Sequence, residues 1–323
     1  MRSRVLTGVT ERLPSWRRGS VVLLYHRIAD PASAPGGDPW RLCVDPATFA
    51  GHMEIIADLG GVVPLGAIAD TLARGETPQG QIAVTFDDGY QDNLVCGLQV
   101  LDRLSIPATV FLVSGECGRV FWWDRLASLL QNADPSKPLR LDTAGGSVEW
   151  RGVAGRKALR DRVAQALSVL EPAERDVLLD QLAETWEVDG IPDLPRAMTW
   201  QEVRSLVESG LVEPGGHTVT HPPLADIDCD RARAEIMTGR SELQSRLGRP
   251  LGAFAYPHGS TGARIRELVR DAGYRLACHT SRGPVRPRTD PLHVPRVWVH
   301  NWSPKQFRGR ILKYLASEAG NGP

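Results

Sequence analysis

Short, largely apolar runs alternate along the first third of the chain with longer stretches whose apolar residues recur every three to four positions. Ser20 to Leu24, Gln81 to Phe86 and Ala108 to Val113 are such runs. They are too short for helices and too apolar for a half-exposed sheet, so they predict strands buried on both faces. Between the first two, Asp45-Pro46 sets an N-cap and a proline at the first helical position. Phe49, Met53, Ile56 and Leu59 then fall on one face, and Gly60-Gly61 stops the helix. Val62 to Leu65 reads as a brief strand leading into a second helix, Leu65 to Leu72, and a third helix runs from about Asp92 to Leu104. Strand, helix and strand in this order predict parallel pairing through crossover helices, an α/β fold.

The rhythm changes near Phe121-Trp122-Trp123-Asp124. From about 121 to 198 the pattern is helical and rich in Leu, Arg and Glu, with a polar interruption from Asn132 to Ser147. It reads as an insertion packed on a single domain that spans 20–323, preceded by a basic segment, 1–19. Thr199 with Glu202 three residues on is a capping box, and the helix it opens ends near Gly210. Leu211-Val212 is a short strand. A long helix runs from about Asp228 to Leu247 and closes at Gly248. Phe254-Ala255-Tyr256, Leu276-Ala277-Cys278 and Val297-Trp298-Val299 are late strands, Ala263 to Ala272 is a helix, and Ser303-Pro304 opens the last one. No internal repeat is visible.

Composition narrows the function. The 323 residues carry 38 Lys and Arg against 38 Asp and Glu, so no global basic field draws in nucleic acid. The opening segment is locally basic, with Arg2, Arg4, Arg12, Arg17 and Arg18. It holds no run of signal-peptide length, and no stretch approaches the roughly 20 apolar residues of a membrane span. A solvated terminus is the plain reading of that segment; a weak peripheral contact with an anionic membrane is the alternative. The five cysteines are odd in number and dispersed, with no C-x-x-C pair. They predict thiols in a reducing compartment and a cytoplasmic protein.

Two stretches carry candidate chemistry. Thr85-Phe86-Asp87-Asp88-Gly89-Tyr90 places adjacent carboxylates where a buried strand ends and a glycine turns the chain. Two anions so close stay ionised only beside a cation, although Asp-Asp-Gly is also the sequence of an ordinary solvated turn. His217-Thr218-Val219-Thr220-His221 spaces two imidazoles four residues apart, between Gly215-Gly216 and Pro222-Pro223. Alone this is a weak metal signal. Together with a carboxylate, the pair supplies three protein ligands and leaves a position open, the requirement of a catalytic zinc site.

These two stretches, with Phe254-Ala255-Tyr256-Pro257-His258-Gly259, resemble three signature motifs of the polysaccharide deacetylases, the carbohydrate esterase family 4 or NodB-homology proteins. The likeness runs from Val22 to about Val299, with the motifs in family order. It implies a distorted (β/α)7-type barrel and one divalent metal ion, with Zn2+ foremost. The implied activity is hydrolytic removal of acetyl groups from an N-acetylated sugar or polysaccharide. By the same likeness Asp87 is the general base, and Asp88, His217 and His221 hold the metal. A backbone amide at Tyr90 or its neighbour would face the oxyanion. The family's proton donor is a histidine in an L-x-H motif, usually late. Here His293 and His300 do not follow Leu-x, whereas Leu24-Tyr25-His26 does, as in a branch that carries this motif at its beginning; His26 is therefore the expected acid. An arginine usual after the phenylalanine of the third motif is replaced by Ala255, and Arg296 is the candidate to stand in for it. Tyr90, Tyr256, Pro257 and Arg296 are expected around the substrate groove, and Trp122, Trp123, Trp200, Trp298 and Trp302 are candidate sugar platforms. Rival readings are a non-catalytic carbohydrate-binding protein on the same scaffold, a deacetylase of a small or lipid-linked sugar intermediate, and a magnesium phosphoryl-transfer site, which two histidines disfavour.

Overall fold

The apolar runs form strands because nothing in them tolerates water. In the computed structural model, which describes residues 19–134, 136, 137, 139–143, 146–150, 152–190 and 193–317, the main sheet has seven strands. They are β1 (Val21–Tyr25), β2 (Ile82–Phe86), β3 (Ala108–Leu112), β4 (Val212–Gly216), β5 (Ala253–Ala255), β6 (Leu276–Cys278) and β7 (Val297–Trp298). Their order is β6-β5-β4-β3-β2-β1-β7, and every pair is parallel. All residues of β1, β2 and β3 are buried. Alternate positions explain why both faces are apolar. Val21, Leu23 and Tyr25 lie in one core cluster with Phe49, Met53 and Ile56, whereas Val22, Ala83, Phe111, Ala255 and Cys278 meet one another inside the curl. The first strand pairs with the last, Leu23 opposite Val297 and Leu24 opposite Trp298. Val294, just before β7, bridges to Cys278 of β6 and closes the curl. The result is the distorted (β/α)7 half-barrel.

The helices are α1 (Pro46–Leu59), α2 (Leu65–Ala73), α3 (Leu98–Leu104), α4 (Trp122–Asn132), α5 (Gly152–Val169), α6 (Pro172–Thr185), α7 (Trp200–Glu208), α8 (Cys229–Leu247), α9 (Ala263–Asp271) and α10 (Pro304–Ala316). Their ends follow local chemistry. Asp45 accepts from the amides of Ala47 and Thr48, and Asp228 from those of Asp230 and Arg231. Thr199 and Ser303 form reciprocal capping boxes with Glu202 and Gln306. Three expectations change. Val62 to Leu65 forms no strand, only a single bridge from Val62 to Ile82 ahead of α2. The helix expected from Asp92 starts instead with a π-helical turn, Asn93–Gly97, which lets the Asn93 amide donate to the His26 carbonyl at 2.7 Å. The polar stretch of the insertion contributes a hairpin, Leu139–Thr143 antiparallel to Gly146–Trp150. Its period-two alternation (Leu139 and Leu141, Val148 and Trp150) is too short to stand out beside long helices.

The insertion has its own apolar cluster, in which Leu126, Leu159 and Leu179 meet Tyr90 and Val113 of the barrel. Among the described residues no helix is long and apolar enough to cross a membrane. The basic segment ahead of Gly19 lies outside the described residues.

Candidate active site

Register brings the motifs to one rim. Asp87 follows β2 and donates its amide to Tyr25 O at 2.9 Å, so it leaves the sheet beside His26. His217 follows β4 and donates its amide to Leu112 O at 3.0 Å. Both sites therefore lie at the carboxyl ends of the strands, where parallel α/β sheets place their chemistry. The turn that presents Asp88 is left-handed at Asp88 (φ 69°) and Gly89 (φ 80°). Glycine suits the left-handed backbone there, and a Cβ on Gly89 would stand 2.6 Å from Leu112 Cδ2 and displace that side chain.

The loop His217–His221 holds two non-glycine residues with positive φ, Thr218 at 68° and His221 at 61°. Such conformations persist only where the surroundings over-determine them. Here Glu235 of α8 accepts from the amides of Val219 (2.8 Å) and Thr220 (2.9 Å) and from the Thr220 hydroxyl (2.5 Å). Thr218 Oγ1 accepts from the His221 amide at 3.0 Å. From the insertion, the buried Arg175 guanidinium donates to Thr220 O at 3.4 Å and to the carbonyls of Leu167 and Leu170.

Three ligand atoms converge. His217 Nε2 and His221 Nε2 are 3.1 Å apart, and Asp88 Oδ1 lies 3.6 Å and 3.4 Å from them. Among the described residues Asp88, His217 and His221 are the group that could hold a metal. The donor set fits a divalent ion of zinc type. Bonds of about 2.1 Å to a tetrahedral ion give ligand–ligand edges of roughly 3.4 Å. Nδ1 of His217 faces the Ala255 carbonyl at 2.7 Å. A carbonyl only accepts, so that nitrogen carries the proton and Nε2 turns a lone pair toward the cluster. Burial lowers the pKa of both histidines, which keeps the imidazoles neutral. Asp88 Oδ1 is buried with no hydrogen-bond partner. Burial, then the nearby carboxylates Asp87 and Asp124, drive its pKa well up. A buried carboxylate oxygen with no hydrogen-bond partner, set beside the Nε2 atoms of His217 and His221, is a donor set that suits a cation.

Asp87 is held differently. Arg296, fully buried, donates through Nη1 to Asp87 Oδ1 (2.6 Å) and through Nη2 to Oδ2 (2.7 Å), and also to Thr85 Oγ1 and the His279 carbonyl. Burial pushes the Asp87 carboxyl up, but the Arg296 guanidinium, with His217 behind it, outweighs burial and the net shift is downward. Asp87 Oδ2 stands 3.9 Å from His217 Nε2. His26 lines the same cavity, with its ring 5.2 Å from that of Trp298. Burial lowers its pKa to about 4, against an upward pull from Asp87.

The groove residues expected from the sequence are elsewhere. Tyr90, Tyr256, Pro257 and Arg296 are all buried, and none lines the cavity. Each has a reason. The Tyr90 hydroxyl donates to Asp124 (2.7 Å) and accepts from Trp123 Nε1 (2.6 Å). Tyr256 donates to Leu292 O at 2.8 Å. Pro257 opens a 3-10 turn under the third motif, and Arg296 is spent on Asp87. The cavity, about 460 Å³, is lined instead by Trp40, Trp122, Trp123 and Trp298 around Asp87, Asp88 and the histidines. Trp200 and Trp302 pack against the main core. Trp40 sits in a Pro- and Gly-rich loop with no periodicity to announce it. His258, in the third motif itself, brings its ring within 4.7 Å of His221. His293 stacks on His279, His300 lies beside Trp298, and neither late histidine lines the cavity.

A curled parallel sheet with buried Asp, His and His at its carboxyl rim defines the class as a NodB-type deacetylase fold. The model of the polysaccharide deacetylase family matches residues 74–137 and 162–277, over half of the chain, and the chain belongs to that family. No curated protein matches it. Among solved structures, the deacetylase PplD of Streptococcus pyogenes in complex with acetate aligns with TM-score 0.59 and 17% identity over 92% of this chain and 98% of that one. IcaB from Ammonifex degensii aligns with TM-score 0.59 and 20% identity over 93% and 98%. The deacetylase domain of BpsB from Bordetella bronchiseptica aligns with TM-score 0.53 and 18% identity over 87% and 96%. At these identities the likeness is one of fold.

Proposed function

We propose that this chain is a metal-dependent N-deacetylase of an N-acetylated sugar or glycan, with zinc as its ion. The observation that carries the reading is the convergence of Asp88 Oδ1, His217 Nε2 and His221 Nε2, with a second carboxylate, Asp87, beside them but bound to Arg296. Binding alone needs no base next to a metal site. Asp88, His217 and His221 would hold the ion, which when bound polarises a carbonyl oxygen and makes water a better nucleophile.

The chain's own residues divide the rest. Asp87, kept ionised by Arg296, takes a proton from the attacking water. The bidentate pair fixes both carboxylate oxygens, so the base does not rotate away from its task. His26 protonates the departing nitrogen. It is neutral at rest, so the proton it delivers is the one that Asp87 has taken from the water and passes on across the cavity that both side chains line. Water adds to the acetyl carbon, the C–N bond breaks, and acetate and a free amine leave. Acetate is the ligand named for the PplD structure, and it is the product this scheme requires.

The test is acetate release from a panel of N-acetylated mono- and oligosaccharides, with the protein stripped by chelator and then reloaded with Zn2+. Release that vanishes on stripping and returns on reloading is expected. Release indifferent to stripping would refute the metal's role, and binding of the sugars without release would favour the non-catalytic reading.

A further inference from the structure

Consecutive strands of the main sheet are joined through at least one helix, except for the last pair. Residues 279–296, between β6 and β7, hold no helix or strand. Loops longer than about 12–15 residues without secondary structure are uncommon in compact domains and usually functional. This loop is pinned along its length. Val285 donates its amide to Ser20 O at 2.8 Å, Thr289 Oγ1 accepts from the Arg286 amide at 2.9 Å, and Asp290 Oδ1 accepts from the Leu292 amide at 2.9 Å. Between the loop and α10 lies a cavity of about 960 Å³.

The charge around that cavity is one-sided. Arg282 and Arg286 line it from the loop, and Arg310 and Lys313 line it from α10. The two helix residues are spaced i and i+3 and so share a face, while a different face of α10 buries Phe307, Ile311 and Leu315. Asp290 is the carboxylate on the lining, and Arg266 Nε already stands 3.7 Å from it. Among the described residues none of the four cations has an ion-pair partner. The Arg310 guanidinium lies instead over the Trp302 ring at 4.5 Å.

Cations gathered around a concave, low-dielectric wall focus a positive field into it. A single carboxylate on a ligand would offset one of them. A phosphate monoester carries about −1.5 to −2 at pH 7 and offers three oxygens to guanidinium forks. A cavity of this size takes a small organic molecule, so the phosphate is one group of a larger ligand. The cavity also abuts the catalytic one, since His279 and Ser281 line it and Thr280, between them, lines the other.

We infer that the cavity between the β6–β7 loop and α10 is a second binding site, for a phosphate-bearing ligand held by Arg282 and Arg286 on one wall and Arg310 and Lys313 on the other. The site rests on its own lining and not on the deacetylase reading.

The experiment titrates the full chain, loaded with Zn2+, calorimetrically with glucose 1-phosphate and with glucose, neither of which carries an acetamide. Saturable binding of the phosphate ester alone is expected. Arg282→Gln combined with Lys313→Gln, at two exposed positions, should weaken it at least about tenfold, at unchanged Zn2+ content and thermal midpoint. Arg282→Lys combined with Lys313→Arg should retain it. No saturable binding by wild type would overturn the inference. So would equal affinity in the neutral variant, which would place the phosphate elsewhere, at the metal for instance. Two more probes read the source of the phosphate. A KM for N-acetylglucosamine 1-phosphate below that for N-acetylglucosamine, an advantage lost in the neutral variant, would put the phosphate on the substrate itself. Capture by vesicles containing phosphatidic acid, absent with phosphatidylcholine alone and in the neutral variant, would put it on a lipid headgroup. Either result supports the site, and an advantage or capture that persists in the neutral variant counts against it. Absence of acetate release from every sugar would sink the deacetylase reading and leave the glucose 1-phosphate result standing.

Discussion

Removing the Arg296 guanidinium isolates the physics of the proposed base. Arg296→Met keeps roughly the same volume but deletes two bonds to Asp87 of 2.6 and 2.7 Å. Asp87 is 2% exposed, so the carboxylate is left buried without its partner. Breaking one side of a buried pair costs about 3–5 kcal/mol. The carboxyl has one escape, which is to bind a proton. For a group whose ordinary pKa is about 3.9, that costs about 4 kcal/mol at pH 7 and only about 1.5 kcal/mol at pH 5. The charge-dependent part of the penalty therefore has a ceiling that falls with pH. Urea unfolding of metal-free wild type and variant, followed by near-ultraviolet circular dichroism, should show a gap about 2 kcal/mol wider at pH 7 than at pH 5. Lost bonds to Thr85 and His279 add a part that does not change with pH. Asp87→Asn in the Arg296→Met background should recover most of the charge-dependent part, a coupling that a double-mutant cycle reads directly. A gap equal at both pH values, or strict additivity of the two substitutions, would refute the claim that Arg296 exists to keep Asp87 ionised.

Three further outcomes are expected. Asp87→Asn should abolish acetate release while the protein still binds Zn2+, and His217→Ala should lose both; wild-type turnover in either variant would contradict the roles assigned. Glu235→Ala removes three hydrogen bonds that hold the His217–His221 loop and should weaken Zn2+ binding by about 10–100-fold in a competition titration, whereas an unchanged affinity would mean that the loop is rigid without it. Burial holds the His52 pKa down at about 4, with its ring stacked 4.0 Å from Phe307. The folded state thus binds fewer protons than the unfolded one between pH 6.5 and 4, and stability falls as pH drops through that window. Wild type should lose about 2 kcal/mol more than His52→Gln between pH 6.5 and 5, and parallel pH profiles would count against this.

Much of the site was legible in the chain because strand ends announce themselves. A buried apolar run followed by Asp87-Asp88-Gly89, and Gly215-Gly216 before His217, say where the backbone must turn, and a parallel sheet sends every such turn to the same rim. His26 is preferred over His293 and His300 because Leu24-Tyr25-His26 matches the L-x-H pattern of the resemblance, and of the three it alone lines the cavity. The direct pairing of β1 with β7 shows why an early histidine and a late arginine can meet across the seam of the curl. The groove was not legible. Tyr90, Tyr256 and Pro257 sit next to motif residues in sequence, and adjacency says nothing about which side of a turn a ring takes.

The order of apolar runs, caps and glycines by itself determined that this chain folds as parallel β/α units and that two carboxylates and two imidazoles emerge at strand ends, because these depend on interactions within a few residues. Only the tertiary structure decided that Arg296 clasps Asp87 from 209 positions away, that the Tyr90 hydroxyl donates to Asp124, and that α5 of the insertion lines the cavity. Those outcomes depend on which distant surfaces exclude water together, and no local pattern carries that information.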